Sequence, residues 1–128
     1  MTYANAYNVY KNNSVNYASK EQLLLMLLDG AVKFSKLARE GISEKDFQKC
    51  HTNIIKTQNI FYELMATLDT NSGGKWAQDL YGIYEFIVQN LIKANIKKDL
   101  EVLDQTIPLI EDVKNTWYEA YKLSKGGK

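Results

Sequence analysis

Hydrophobic positions recur every three or four residues through most of this chain, and three polar breaks divide them into four runs. A 3.6-residue period of this kind marks helices that each bury one face. The first run is the densest. Leu23-Leu24-Leu25-Met26-Leu27-Leu28 places six apolar side chains in succession, none of them β-branched. Such a run covers a helix on all sides and favours helix formation. Ser19, with Gln22 three residues on, has the spacing of a capping box that satisfies the orphan N–H groups of a helix start. Helix 1 is therefore expected from about Lys20 to about Arg39, on the stripe Leu23, Leu27, Ala31, Phe34 and Ala38. Gly41 is a candidate left-handed C-cap.

Helix 2 is expected from Ser43, with Asp46 in its first turn, on Phe47, Cys50, Ile54, Phe61, Leu64 and Leu68, with Thr57 filling one site. Asp69-Thr70-Asn71-Ser72-Gly73-Gly74 ends it. Helix 3, from about Lys75 to about Asn95, turns Trp76, Leu80, Ile83, Ile87, Leu91 and Ala94 to the core, with Tyr81, Tyr84, Val88 and Asn95 beside that face. Helix 4 follows from about Asp99 to about Leu123 on Leu103, Ile107, Ile110, Val113, Trp117 and Tyr121. Pro108 lies inside it and predicts a kink near Asp104–Thr106 or a break there, because proline removes a backbone hydrogen bond and crowds the preceding turn. No strand pattern competes. Short loops make successive helices antiparallel, so the fold class is all-α: an up-down-up-down four-helix bundle over residues 19–123, helix 1 the most enclosed. Residues 124–128 read as a flexible tail.

Residues 1–18 read as an arm of a different character, rich in tyrosine and asparagine and poor in aliphatic side chains. Tyr3, Tyr7 and Tyr10 stand at i, i+4 and i+7, the anchor spacing of a short helix laid in a groove. A frayed terminus is the plain alternative.

Composition narrows the function by exclusion. The 128 residues suit one domain, and a net charge of +1 with interspersed signs is no footprint for nucleic acid. Cys50 is the one cysteine, so no intramolecular disulfide forms and a reducing compartment is the simple inference. The start has no basic segment leading into a greasy one, and no apolar run approaches the ~20 residues of a membrane span, so the expected location is the cytosol with no membrane insertion. His51 is the one histidine, which rules out sites needing two; adjacent Cys50 and His51 point about 100° apart on a helix and share no ligand. Cys50 is expected in the core and His51 on the surface. There is no phosphate-binding glycine loop and no carboxylate pair isolated on an apolar face. No cofactor, no metal and no catalysis are expected. Asp29, the odd charge beside the leucine run, reads as an exposed edge or a cap, and Gly30 as a point of close helix approach.

Three features exceed what core packing asks for: the tyrosine-spaced arm, the amides Asn53, Gln58, Asn59 and Asn95 on apolar helices, and the surplus of tyrosine on helix 3. Tyrosine favours recognition surfaces, and amides bond the backbone of an incoming chain without reading its side chains. Together they point to a binding module.

The segments Ala6-Tyr7-Asn8-Val9-Tyr10, Ser14-Val15 and Ser19 through Ala31, then Asn53-Ile54-Ile55-Lys56-Thr57-Gln58-Asn59-Ile60 with Glu63-Leu64 and Thr67-Leu68-Asp69, resemble the flagellar export chaperone family FliS. Leu80-Tyr81, Leu91, Ala94-Asn95 and Trp117 extend the likeness over almost the whole chain. Thr57 stands where alanine is usual, and Tyr7 where several relatives carry an aliphatic residue. The resemblance implies a cytosolic bundle that binds the disordered C-terminal segment of flagellin, prevents premature polymerisation and delivers the subunit to the export gate protein FlhA. On this reading Ile55, Gln58, Asn59, Tyr62, Tyr81, Tyr84, Val88 and Asn95 line the client groove, and Tyr3, Tyr7 and Tyr10 form a lid that the client displaces. The free protein is expected as a monomer or weak dimer. A helical adapter or dimerisation module with no export role is the rival.

Overall fold

The computed structural model describes residues 19–126, and every element in them is helical. Four helices follow one another: α1 (Lys20–Ser43), α2 (Phe47–Thr67), α3 (Gly74–Lys97) and α4 (Leu100–Gly126). Contacts run α1–α2, α2–α3, α3–α4 and α4–α1, which closes an antiparallel ring around one core. The bundle read from hydrophobic spacing is the fold observed. None of these helices is long and apolar enough to cross a membrane.

Three of the four helix starts are fixed by a side chain that accepts orphan N–H groups; α3 follows Gly73 and has no such cap. Ser19 Oγ accepts from Gln22 N, and Gln22 Oε1 accepts from Ser19 N, the reciprocal capping box expected from the sequence. Asp99 Oδ1 accepts from Val102 N at 3.2 Å ahead of α4. Asp46, not Ser43, is the N-cap of α2, its Oδ1 accepting from Lys49 N at 3.1 Å. Ser43 instead ends α1, which is one turn longer than its stripe suggested.

Gly41 is not a left-handed cap. It lies buried inside the last turn of α1, where an added Cβ would sit 2.6 Å from Cys50 N and 2.9 Å from Asp46 O. The left-handed residue in this loop is Lys45 (φ 60°). Gly41 is therefore the point where α2 crosses against α1, whereas a Cβ at Gly30 would make only an ordinary 3.4 Å contact with Ile60. Gly41→Ala forces backbone apart and is expected to cost roughly 1–3 kcal/mol in urea denaturation.

The core holds Leu28, Ala31, Ala38, Cys50, Ile54, Phe61, Leu64, Ile87, Leu91, Leu103 and Ile110, close to the expected stripes. Phe47 departs from them and is half-exposed. In the leucine run only Leu25 and Leu28 are buried; Leu23, Leu24, Met26 and Leu27 are half-covered. The helix runs through Pro108 as one unbroken α4, not two. Three buried hydroxyls are silenced within their own helices: Ser35 to Val32 O, Thr57 to Asn53 O and Thr106 to Val102 O.

Candidate binding surface

The seams on either side of α1 are bridged by their own side chains, with a cleft of about 380 Å³ left between α1 and α4 over Ile107 and Pro108. Across α1 and α4, Asp29 pairs with Lys114 (3.1 Å), Lys36 with Glu111 (3.2 Å) and Arg39 with Asp104 (3.4 Å). Asp29 also accepts from the Tyr118 hydroxyl at 3.1 Å. It is thus the exposed edge residue its position suggested, and its charge is matched. Exposed pairs add little stability, but they make this seam polar. Across α1 and α2, Gly30 faces Ile60, and Lys56 Nζ lies 5.1 Å above the Phe34 ring.

The two flanks of α3 are different. On the α4 side, Trp76 (53% exposed), Ile83 (44%) and Phe86 (54%) stand above a floor of Leu80, Leu109 and Val113. The trough encloses about 480 Å³, and Asp79, Asp112 and Thr116 are the polar groups along it. Contiguous exposed apolar surface of this kind marks an interaction site. The trough's mouth is tied to the core by a chain of aromatic rings. Trp76 meets Trp117 edge-on at 5.5 Å, Trp117 Nε1 donates to the Tyr84 hydroxyl at 2.9 Å, and Tyr84 meets Phe61 at 5.7 Å. Tyr84 is 1% exposed, and burial pushes its hydroxyl up to about 12 although the Trp117 bond acts the other way.

On the α2 side, one hydrogen bond sets the register: Asn95 Nδ2 lies 3.0 Å from His51 Nδ1. Lys98 Nζ donates to Asn95 Oδ1 at 2.6 Å, which fixes the amide with its NH2 group toward the histidine. Two helical turns are about seven residues, so Gln58 follows His51 on the same line of α2. Tyr62 is exposed, and Ile55, Tyr81 and Asn95 are half-buried along this flank; Asn59 turns about 100° away from the line of Gln58. Tyr84 and Val88 are core residues, and neither can line an open groove. Ile92 and Ile96, which no stripe included, are exposed on α3. Tyr3, Tyr7 and Tyr10 lie outside the described residues.

The expected α3 stripe holds at Leu80, Ile87, Leu91 and Ala94 and fails at two positions. Trp76 and Ile83 were expected inside and are out, whereas Ala77, Tyr84 and Val88 are in. The signal for an outer face was present: Phe86, Ile92 and Ile96 are apolar positions that one buried stripe cannot absorb. The chemistry of these surfaces is recognition. Among the described residues no three His, Cys, Asp or Glu side chains cluster as metal ligands. Cys50 is wholly buried, as expected, and burial pushes its thiol up, away from the reactive thiolate.

A profile of the family described as Flagellar protein FliS matches residues 3–124. The chain belongs to the FliS family. It is 35% identical over 120 residues to the flagellar secretion chaperone FliS of Bacillus subtilis, covering 94% of this chain and 89% of that protein. It is 30% identical over 116 residues to the flagellar secretion chaperone FliS of Campylobacter jejuni, covering 91% of each. A crystal structure of a bacterial flagellar chaperone superposes with a TM-score of 0.73 over 93% of this chain and 97% of the other; at 15% identity this shows the shared fold. FliS-family membership makes the protein a flagellar secretion chaperone, a class that binds and does not catalyse.

Proposed function

We propose that this FliS-family protein binds newly made flagellin in the cytosol through the disordered C-terminal segment of that protein. The segment wraps α3, laying an amphipathic helical piece in the trough against α4 and a further piece along the flank against α2. The observation that carries this reading is the trough beside α3, which presents Trp76, Ile83 and Phe86 to solvent over an apolar floor, whereas the smaller cleft between α1 and α4 is lined by paired charges. Ordering a disordered chain costs a few kcal/mol, so the contact must be large, above ~2,000 Å², and both flanks are needed to supply it. Covering the segment prevents polymerisation before export, and the loaded chaperone passes its client to the gate protein FlhA.

The N-terminal arm, residues 1–18, is the lid of this surface in the free protein, with Tyr3, Tyr7 and Tyr10 as its anchors. Removing residues 2–16 is therefore expected to strengthen binding of the flagellin segment in titration calorimetry; unchanged or weaker binding removes the lid from the account. Chromatography tests the function itself. A monomer or weak dimer that becomes a one-to-one complex with flagellin supports the chaperone. An obligate dimer that ignores flagellin would be the adapter.

A further inference from the structure

The two tryptophans of the chain are Trp76 and Trp117, and they meet each other. Trp76 stands at one end of the α3–α4 trough and Phe86 toward the other, ten residues along the helix and so about 15 Å apart. That length matches about three turns of a helix laid along it. Trp76 has little support from its own helix. It is the third residue of α3, the helix that starts without a capping side chain, and its ring is half-exposed. Such first turns fray, because their N–H groups lack intrahelical partners.

The support comes from α4 and the core. The Trp76 ring rests edge-on against Trp117, 5.5 Å between centroids. An indole has one polar atom, a donor, so a hydrogen bond to it selects one orientation of the whole ring. Trp117 Nε1 makes that bond to the Tyr84 hydroxyl at 2.9 Å, and a flipped Trp117 would break it for both partners. Tyr84 is held in turn by its packing on Phe61 of α2. Its hydroxyl is buried with the rest of the side chain, out of reach of anything lying in the trough.

Resting on the reading that the trough holds a helical piece of the client, we propose that Tyr84 is a positioning residue for that site. Its hydroxyl orients the Trp117 indole, and Trp117 in turn sets the Trp76 ring as the end wall of the trough. The hydroxyl thus governs how tightly a three-turn amphipathic helix is held without touching it. Removing one oxygen from the core is expected to loosen a surface ring two side chains away.

The test uses the full chain, a synthetic C-terminal segment of the flagellin from the same cell, and the variants Tyr84→Phe, Trp117→Phe and the double variant. Two indoles in edge contact couple their electronic transitions, so the parent is expected to show a tryptophan exciton couplet in circular dichroism. Tyr84→Phe keeps both indoles and is expected to lose most of that couplet and to bind the segment about five-fold more weakly. Trp117→Phe keeps a ring without its N–H and is expected to weaken binding to a similar extent. The double variant is expected to bind no more weakly than either single variant, because all three break one linkage. Gly41→Ala, a destabilising change at the α1–α2 crossing, is expected to leave couplet and affinity as in the parent. A Tyr84→Phe protein that keeps the couplet, or binds as tightly as the parent, overturns the positioning role while the trough reading stands. So does a Gly41→Ala protein that loses as much affinity, since stability alone would then explain the effect. A segment that fails to bind the parent, or binds the Ile83→Ala/Phe86→Ala protein undiminished, overturns the trough reading and this inference with it.

Discussion

Replacing Ile83 and Phe86 together by alanine is expected to weaken binding of the flagellin segment about 100-fold and to leave the melting temperature within about 2 °C. The two side chains are roughly half-exposed in the free protein, so the fold loses little apolar contact when they shorten. Alanine also has the higher helix propensity, which offsets part of that loss. The client, by contrast, covers both. Burying the exposed half of each against an amphipathic helix contributes about 1.5 kcal/mol apiece, and each 1.4 kcal/mol is a factor of ten in Kd. Calorimetry with the segment and a thermal melt of the free protein separate the two effects. A large fall in melting temperature would mean that the trough is part of the core.

The second large effect lies one layer deeper. Tyr84→Ala is expected to cost roughly 3–5 kcal/mol and to lower the melting temperature by about 10 °C or more. It opens a cavity between Phe61 and Trp117 and strips the indole N–H of its acceptor. Tyr84→Phe keeps the ring and loses only that acceptor, at about 1–2 kcal/mol. Alkali distinguishes them further. Burial holds the folded hydroxyl near 12 against 10 in an unfolded chain, so the contribution is complete below pH 10 and falls as pH rises toward 12. The phenylalanine variant lacks this part of the alkaline loss. Urea melts at neutral pH and at pH 11 measure it.

The contrast between Tyr84 and Ile83 shows where hydrophobic spacing stops being informative. In α2 one face is apolar and the other polar, so the phase is unique and Cys50, Ile54, Phe61 and Leu64 fall inside as their spacing demands; the leucine run of α1 is apolar all round, and Leu25 and Leu28 are buried there instead of Leu23 and Leu27. α3 is apolar on more than one side. Trp76-Leu80-Ile83-Ile87 and Ala77-Leu80-Tyr84-Ile87-Val88 are both acceptable stripes, sharing Leu80 and Ile87, and periodicity does not choose between them. Spacing puts Tyr84 beside the core face; a buried hydroxyl needs a partner, and Trp117, 33 residues away, supplies one that only the assembled fold brings there. The same ambiguity is the functional signal, because a helix apolar on both flanks in a four-helix ring must leave some of that surface open. The loop at 43–46 was misread for a simpler reason: Ser43 and Asp46 are both good N-caps, and Gly41 is required by the closeness of α2 to α1, a tertiary fact. The arm, the amides and the surplus tyrosines pointed to a binding module; that its client is flagellin was legible through family resemblance alone.

The central claim is that flagellin wraps α3 and leaves the α1–α4 seam bare. Methyl NMR of the protein titrated with the flagellin C-terminal segment tests it most directly. The account predicts that Ile55, Ile83, Ile92 and Ile96 shift or broaden while Ile107, at the floor of the charged α1–α4 cleft, and Ile110, in the core, stay put. Perturbation centred on Ile107, with Ile83 and Ile92 unmoved, would place the client on the opposite side of the bundle and contradict it.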